Sequence, residues 1–285
     1  MRVLFIRSGI LSEVIIVDKI LLFTPMYNCE KQIVRVLGQM TPDVGKYISE
    51  WIIINNRSTD NGEQAVVDYL QTHEMPVKVS LLRNDENYGL GGSHKVAFQY
   101  AIDNGFDYVI VLHGDDQGRI SDFLPLLESG EYRKHDCCLG ARFMKGSKLI
   151  GYSKLRIWGN YGFNALFSAV VRKSVKDLGS GLNLYKVEPL KNRYFMEYPD
   201  TLYFNDLMIL ASCYYKQDMF FYPISWREED QVSNNKLMSF SMSLLHMLKE
   251  FVKDKDGYMG RDMRKKQIDN YSAEVIYQSE GRIRK

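Results

Sequence analysis

The chain has 285 residues, 45% of them hydrophobic and 25% charged, with a formal net charge of +2. That length and composition suit one large α/β domain, or two small ones, with a sizeable core, and the charge gives no reason to expect nucleic acid as a partner. Cys29, Cys137, Cys138 and Cys213 form no C-x-x-C pair and read as small buried hydrophobes in a reducing compartment.

No apolar run reaches the roughly 18–20 residues that cross a bilayer. Arg7 and Glu13 interrupt the apolar start and no small-residue cleavage site follows, which is not the pattern of a secretory signal. Residues 1–18 are therefore expected to be an N-terminal extension, with Val17 an alternative initiator.

The fold is expected to begin with a strand at 19–24. Asn28 is a good N-cap for a helix with Ile33, Val36, Leu37 and Met40 on one face. A strand at 50–54 ends in Asn55-Asn56-Arg57-Ser58-Thr59-Asp60, where Ser58 or Asp60 can cap a helix through Val66, Val67 and Leu70. A strand at 77–82 leads to Asn87-Tyr88-Gly89-Leu90-Gly91-Gly92 and a helix through Val96, Phe98 and Ala101. The continuous apolar run at 108–113 reads as a buried parallel strand; it ends in Gly114-Asp115-Asp116-Gln117-Gly118. Ser121 is placed to cap a short helix before a strand at 136–141. Repeated units of this length predict an α/β fold, a doubly wound, mostly parallel sheet flanked by helices.

After Arg142 the pattern changes. A Gly/Ser/Lys-rich loop at 144–153 precedes a helix at 154–173, and Gly179-Ser180-Gly181 breaks the chain before a strand at 182–186. A helix near 202–214, a strand near 218–224 and an amphipathic helix at 236–253 follow. Packing into the core is the plainer reading of that last helix; lying in a membrane interface is the sharper one. Arg261, Arg264, Lys265, Lys266, Arg282, Arg284 and Lys285 crowd the end, either as a solvated tail or against an anionic membrane surface.

Asp115, Asp116 and Gln117 are hard oxygen donors suited to Mg²⁺ or Mn²⁺. They follow a strand, where open α/β sheets bind ligands, and a metal there implies a phosphate-bearing substrate. The loops at 24–28, 55–60 and 113–117 share one sheet edge and together outline a cleft for a nucleotide and a metal. The glycine run at 89–92 fits neither a P-loop nor a dinucleotide fingerprint. It is either a turn opening a helix or an approach to phosphate, with Lys95 either solvated or on a donor phosphate.

The series Pro25-Met26-Tyr27-Asn28, 55–60, Asn87-Tyr88-Gly89, 113–117, Gly140-Ala141-Arg142-Phe143 and Ser180-Gly181-Leu182 resembles the family-2 inverting glycosyltransferases. Within them it is most similar to the branch of dolichyl-phosphate mannose synthases and bacterial polyprenyl-phosphate glycosyltransferases. The resemblance covers about residues 19–236. It implies a single GT-A domain over 19–235, followed by the amphipathic helix and basic tail of 236–285. It also implies a hexosyltransferase with a nucleotide-diphosphate sugar donor and Mg²⁺ or Mn²⁺.

By that resemblance Pro25, Tyr27 and Asn28 cradle the nucleotide, with Cys29 where an acidic residue is usual. Asn55, Asn56 and Asp60 fall on the loop that contacts base and ribose, with Gly89 and Lys95 nearby. The amides at 55 and 56 replace carboxylates and add donors, so uracil, guanine and cytosine all stay open. The metal motif falls on His113, Asp115 and Gln117, with His where the family has its first Asp; Asp115 is the metal or metal-diphosphate ligand, Gln117 the next, and Asp116 lies behind them. Arg142 and Arg156, with Asn160 one turn on, correspond to the groups that bind a lipid phosphate, whose geometry suits the planar guanidinium fork. Ser180 shapes the pocket floor, and Arg227 corresponds to an Arg on the donor diphosphate. Ser233 and Lys236 are spaced differently from the family's Ser-Lys pair.

The implied reaction is displacement at the anomeric carbon. A lipid phosphate is already anionic and needs no base, whereas a sugar hydroxyl needs a carboxylate, and Asp206 resembles that base. The chain is expected to act in the cytoplasm, either soluble or peripheral to the inner face of the membrane, in surface polysaccharide or glycolipid synthesis. Two other readings stay open. One is a nucleotidyltransferase, although Pro-Met-Tyr-Asn is not its Gly-rich basic loop. The other is a catalytically impaired nucleotide-sugar-binding protein, to which His113, Asn55 and Asn56 point.

Overall fold

The computed structural model describes residues 2–4, 15–229 and 237–281. Asp230, Gln231, Ser233, Lys236, Arg282, Arg284 and Lys285 lie outside the described residues. In chain order the strands are β1 (Arg2–Leu4), β2 (Ile15–Val17), β3 (Ile20–Met26), β4 (Glu50–Asn55), β5 (Lys78–Asn84), β6 (Tyr108–Leu112), β7 (Cys137–Ala141), β8 (Lys148–Ile150), β9 (Leu182–Lys186), β10 (Met219–Pro223), β11 (Ser225–Arg227) and β12 (Ala273–Ser279). The helices are α1 (Glu30–Leu37), α2 (Pro42–Gly45), α3 (Gly62–Thr72), α4 (Gly89–Asp103), α5 (Leu124–Ser129), α6 (Lys154–Val171), α7 (Val187–Leu190), α8 (Phe204–Tyr214), α9 (Leu237–Lys253) and α10 (Lys255–Met259).

An eight-stranded sheet runs in the order β10-β7-β9-β6-β3-β4-β5-β12. Its centre, β6-β3-β4-β5, is parallel, while β9 and β12 run antiparallel to their neighbours. This is the mostly parallel, helix-flanked sheet that the sequence predicts. The period of two along each strand feeds two cores. On β3, Ile20 and Leu22 face the layer of α1, α3 and α5, while Leu21 and Phe23 face the layer of α4 and α8. β4 divides Trp51 and Ile53 from Ile52 and Ile54 in the same way. Each such buried side chain contributes about 1.5–3 kcal/mol.

Three local expectations change. Asn28 does not cap α1; it adopts a left-handed φ of 50°, and its Oδ1 accepts from Thr59 N at 2.7 Å. Asp60 serves α1 from the neighbouring loop, accepting from Glu30 N at 2.8 Å, and also accepts from Gly62 N at 3.1 Å where α3 begins. Ser121 lies inside a 3-10 turn whose N-cap is Arg119.

Among the described residues the C-terminal segment packs onto the domain. β12 pairs with β5 and closes that edge of the sheet. Arg264 pairs with Asp262 at 2.7 Å and Lys266 with Glu86 at 2.5 Å. α9 buries Leu244, Met247, Leu248 and Phe251 in the core, the plainer of its two readings. Among the described residues no helix is long and apolar enough to cross a membrane.

Candidate active site

Three strand ends are joined by main-chain hydrogen bonds. Gly114 N donates to Pro25 O at 3.1 Å, Asn56 N to Met26 O at 2.9 Å, and His113 N to Gly181 O at 3.0 Å. The loops after β3, β4 and β6 are thereby fixed on one edge with the turn that opens β9. Gly181 is required there, because a Cβ would stand 2.6 Å from His113 Cγ.

On the nucleotide side Tyr27 is 50% exposed, an aromatic face at the rim. Asn28 N donates to Ser58 Oγ at 3.1 Å, tying the first loop to the second. Asn55 Oδ1 accepts from Ser58 N at 2.9 Å, and its amide donates to Glu63 at 2.7 Å. Asn56 is buried and spans loops: Oδ1 accepts from Asn84 at 2.9 Å and Tyr88 N at 2.8 Å, while Nδ2 donates to Asn87 at 2.8 Å. Asn56 and Asp60 thus hold the cleft wall together rather than present their polar atoms to a ligand. The thiol of Cys29 is pushed up to about 12 by burial and stays neutral.

The acidic loop separates its two carboxylates. Asp115 Oδ1 accepts from Gln117 N at 3.2 Å, shaping the turn. Asp116 has a left-handed φ of 59° and turns inward. Its carboxylate meets Arg35 Nε at 2.5 Å, Gln39 Nε2 at 3.0 Å and the Arg227 guanidinium. Asp116 therefore does not serve as a metal ligand: two arginines already satisfy it. Arg35 and Gln39, on and just after α1, were not legible as site residues; nothing in their spacing marks them.

Among the described residues no three His, Cys, Asp or Glu side chains gather into a metal-binding group. Mg²⁺ and Mn²⁺ do not need such a cage: one or two protein oxygens with substrate phosphates and water suffice. The Asp115 carboxylate and the Gln117 amide oxygen supply that donor set, so the residues fit a divalent cation brought in with a diphosphate.

The expected acceptor residues are closely engaged. Arg142 is buried and donates to both oxygens of Asp177, Nε at 2.7 Å and Nη2 at 2.8 Å, and to Tyr152 Oη at 2.9 Å. Burial works against its charge, and Asp177 overcomes this and raises its pKa. The fork expected to take a phosphate is thus filled by a carboxylate. Asp177 was missed, although it is the first acid after an acid-free stretch from 137 to 176. Arg156 pairs with Glu228, and Asn160 donates back to Arg156 O at 2.7 Å. Ser180 Oγ bonds within its own turn, accepting from Leu182 N at 3.1 Å.

Asp206 sits in the first turn of α8, 3% exposed. Burial raises its pKa well above the carboxylate range; its own main-chain N–H opposes this, the Asp177 charge adds to it and Arg142 opposes it. Its burial thus disfavours the charged carboxylate.

Lys95 is a correction. Its ammonium is wholly buried and donates to Tyr198 O at 2.6 Å, Asp200 Oδ1 at 2.6 Å and Tyr271 Oη at 3.0 Å. All three donors are used, so it reaches no donor phosphate. The glycine run lies inside the first turn of α4 and accommodates chain rather than phosphate. Gly89 has a φ of 73°, and a Cβ there would stand 2.3 Å from Asp200 O. Beneath the edge, His94 and His113 pack with ring centroids 6.1 Å apart. Burial, the larger cause, and a neighbouring cation or ring hold their pKa values at about 3 and about 4. The His113 ring is buried, and its Nε2 has no hydrogen-bond partner among the described residues. A cavity of about 430 Å³ lies elsewhere, between α8, α9 and Tyr258 to Arg264.

Comparison with known proteins agrees with this geometry. Residues 22–193 match the model of "Glycosyl transferase family 2". The chain is 22% identical over 175 residues to an undecaprenyl-phosphate mannosyltransferase of Micrococcus luteus, covering 61% of this chain and 68% of that one. It is 27% identical over 178 residues to a Methanocaldococcus jannaschii protein of unassigned function, covering 60% and 73%. Among solved structures, glucosyl-3-phosphoglycerate synthase from Mycobacterium tuberculosis, in complex with uridine diphosphate, superposes with a TM-score of 0.57 at 15% identity, over 83% of this chain and 80% of that one. That likeness shows the fold. A family model covering more than half of the chain, on a sheet of the matching topology, makes this chain a member of glycosyltransferase family 2.

Proposed function

We propose that the chain transfers a hexosyl group, with inversion, from a nucleoside-diphosphate sugar to a polyprenyl phosphate at a membrane face, in surface polysaccharide or glycolipid synthesis. The observation that carries this reading is the joined edge of β3, β4 and β6. It sets the exposed Tyr27 ring, the exposed Asn28 amide and the Asp115 carboxylate on one edge, the chemistry of a base, a ribose and a metal-bound diphosphate. A divalent cation there would neutralise charge on the departing nucleoside diphosphate.

The chain's own residues do the rest. Tyr27 flanks the nucleotide, and the buried Asn55 shapes the loop beside it. Asp115 and Gln117 offer oxygens toward the diphosphate, and Arg227, anchored on the same loop, supplies positive charge beside it. Burial disfavours the charged form of Asp206, which suits a phosphate acceptor that needs no base. Arg156, paired with Glu228, lies on the acceptor side and would have to exchange that partner for a phosphate, and Arg142 with Asp177 fixes the floor. The undecaprenyl-phosphate specificity named for the Micrococcus relative supports the same acceptor class.

Thermal unfolding with UDP-, GDP- and CDP-sugars, with and without Mn²⁺, tests the donor site. A ligand at about 100 times its Kd adds about 2.7 kcal/mol of stability. One base class is expected to raise Tm, more so with Mn²⁺; no rise with any of them contradicts a donor site.

A further inference from the structure

We infer that the outer face of α6 is a membrane-contact surface that takes a bilayer carrying anionic phospholipid. α6 has no charged side chain from 157 to 171. Its outward residues recur at helical spacing: Leu155, Trp158, Gly162, Ala165 and Leu166 are all exposed. Leu155 is 78% and Trp158 74% exposed, and Tyr161 and Ile150 of β8 extend the patch. A helix on a protein surface normally sets polar residues toward water; here the water-facing side is apolar and aromatic, the mark of an interaction surface.

The charge around the patch selects the occupant. Residues 137–176 hold eight basic residues and no acid. Lys145, Lys148, Lys154, Arg172 and Lys176 are exposed, and none has an ion-pair partner among the described residues. A basic rim thus brackets an apolar centre with Trp and Tyr between them. That is the make-up of a helix lying at the headgroup boundary, with aromatic rings at the interface and lysines reaching back to lipid phosphates. A second copy of the chain is disfavoured, since an isologous contact would set one basic rim against another. α9, the other amphipathic helix, buries Leu244, Met247, Leu248 and Phe251 in the core and leaves Met242, Leu245 and Val252 outside it. The surface adjoins the active site: Arg156 of α6 pairs with Glu228, next to Arg227. The inference stands whichever acceptor the site uses, and donor binding is measured separately, so either can fail without the other.

The full chain is to be sedimented with vesicles of phosphatidylglycerol and phosphatidylcholine in about equal parts, and with phosphatidylcholine alone. Trp51 and Trp226 are buried at 1% and 3% exposure, so a blue shift of emission on adding vesicles reports Trp158. Sedimentation with the anionic vesicles, weakened by salt and accompanied by the blue shift, is expected. Leu155→Glu/Trp158→Glu is expected to cut partitioning at least about tenfold with unchanged Tm, and Arg172→Glu/Lys176→Glu to remove the preference for anionic lipid. Protein left in the supernatant with both vesicles overturns the inference. So does a stable dimer in solution that the Leu155→Glu/Trp158→Glu variant dissociates, which would assign the face to a second copy.

Discussion

Arg227 holds the acidic loop at two points on one residue: Nε donates to the Asp116 carbonyl at 2.8 Å, and the guanidinium also meets the Asp116 carboxylate. Its own N–H donates to Gln117 O at 3.0 Å. The arginine is therefore placed by the loop whose neighbour, Asp115, faces the diphosphate in the proposed reaction. Arg227→Ala is expected to lower kcat by about 10²–10³-fold, with donor Kd changed far less. Equal loss in kcat and donor affinity would make Arg227 a binding group only.

The Arg142–Asp177 pair gives a stability prediction. Both groups are buried, so removing one partner leaves the other charged and unpaired. Asp177→Asn or Arg142→Met is expected to cost about 3–5 kcal/mol in urea unfolding. Arg142→Met and Asp177→Asn together should cost less than the two single changes added.

Lys95→Met separates the two sequence readings of that lysine. The buried ammonium is replaced by an apolar chain, while Asp200 keeps its bond from Tyr271 at 2.8 Å. Stability is expected to fall by about 2 kcal/mol with donor affinity unchanged. A tenfold loss of donor affinity at unchanged stability would restore Lys95 to the phosphate site.

The two buried histidines set a pH dependence. His94 and His113 hold folded pKa values of about 3 and about 4 against 6.5 for a free ring. Below pH 6.5 the unfolded chain takes up protons that the folded chain refuses, so stability present above pH 6.5 is lost as pH falls toward 4, by on the order of 3 kcal/mol per ring. His94→Leu is expected to flatten that decline; an unchanged slope would show that His94 is protonated in the folded state.

Asp206 has the opposite sign. Its folded pKa is raised, so its contribution is most favourable below 3.8 and declines as pH rises. Asp206→Asn removes that decline and should be more stable than the native chain at pH 8. It should also keep its turnover on a polyprenyl phosphate. A loss of about 10²–10⁴-fold would make Asp206 a proton acceptor and point to a hydroxyl substrate.

The sheet was legible because apolar runs alternating with polar strand ends have one simple reading. The joined edge was legible for the same reason: polar loops after parallel strands must meet. Long-range commitments of side chains were not. Nothing local to Lys95 announces Tyr198, Asp200 and Tyr271, and nothing local to Arg142 announces Asp177, 35 residues on. β12 was missed although Val275, Ile276 and Tyr277 are strand-forming residues, because nothing local to 273–279 announces its antiparallel pairing with β5, roughly 200 residues earlier.

The most direct measurement is release of nucleoside diphosphate from nucleotide sugars by the purified chain, with polyprenyl phosphate and Mn²⁺ present or omitted. Turnover that needs both, yields a product of inverted anomeric configuration and is lost in Asp115→Ala is the result this account expects. Turnover without polyprenyl phosphate on a sugar hydroxyl, undiminished activity in Asp115→Ala, or no turnover of any donor would contradict it.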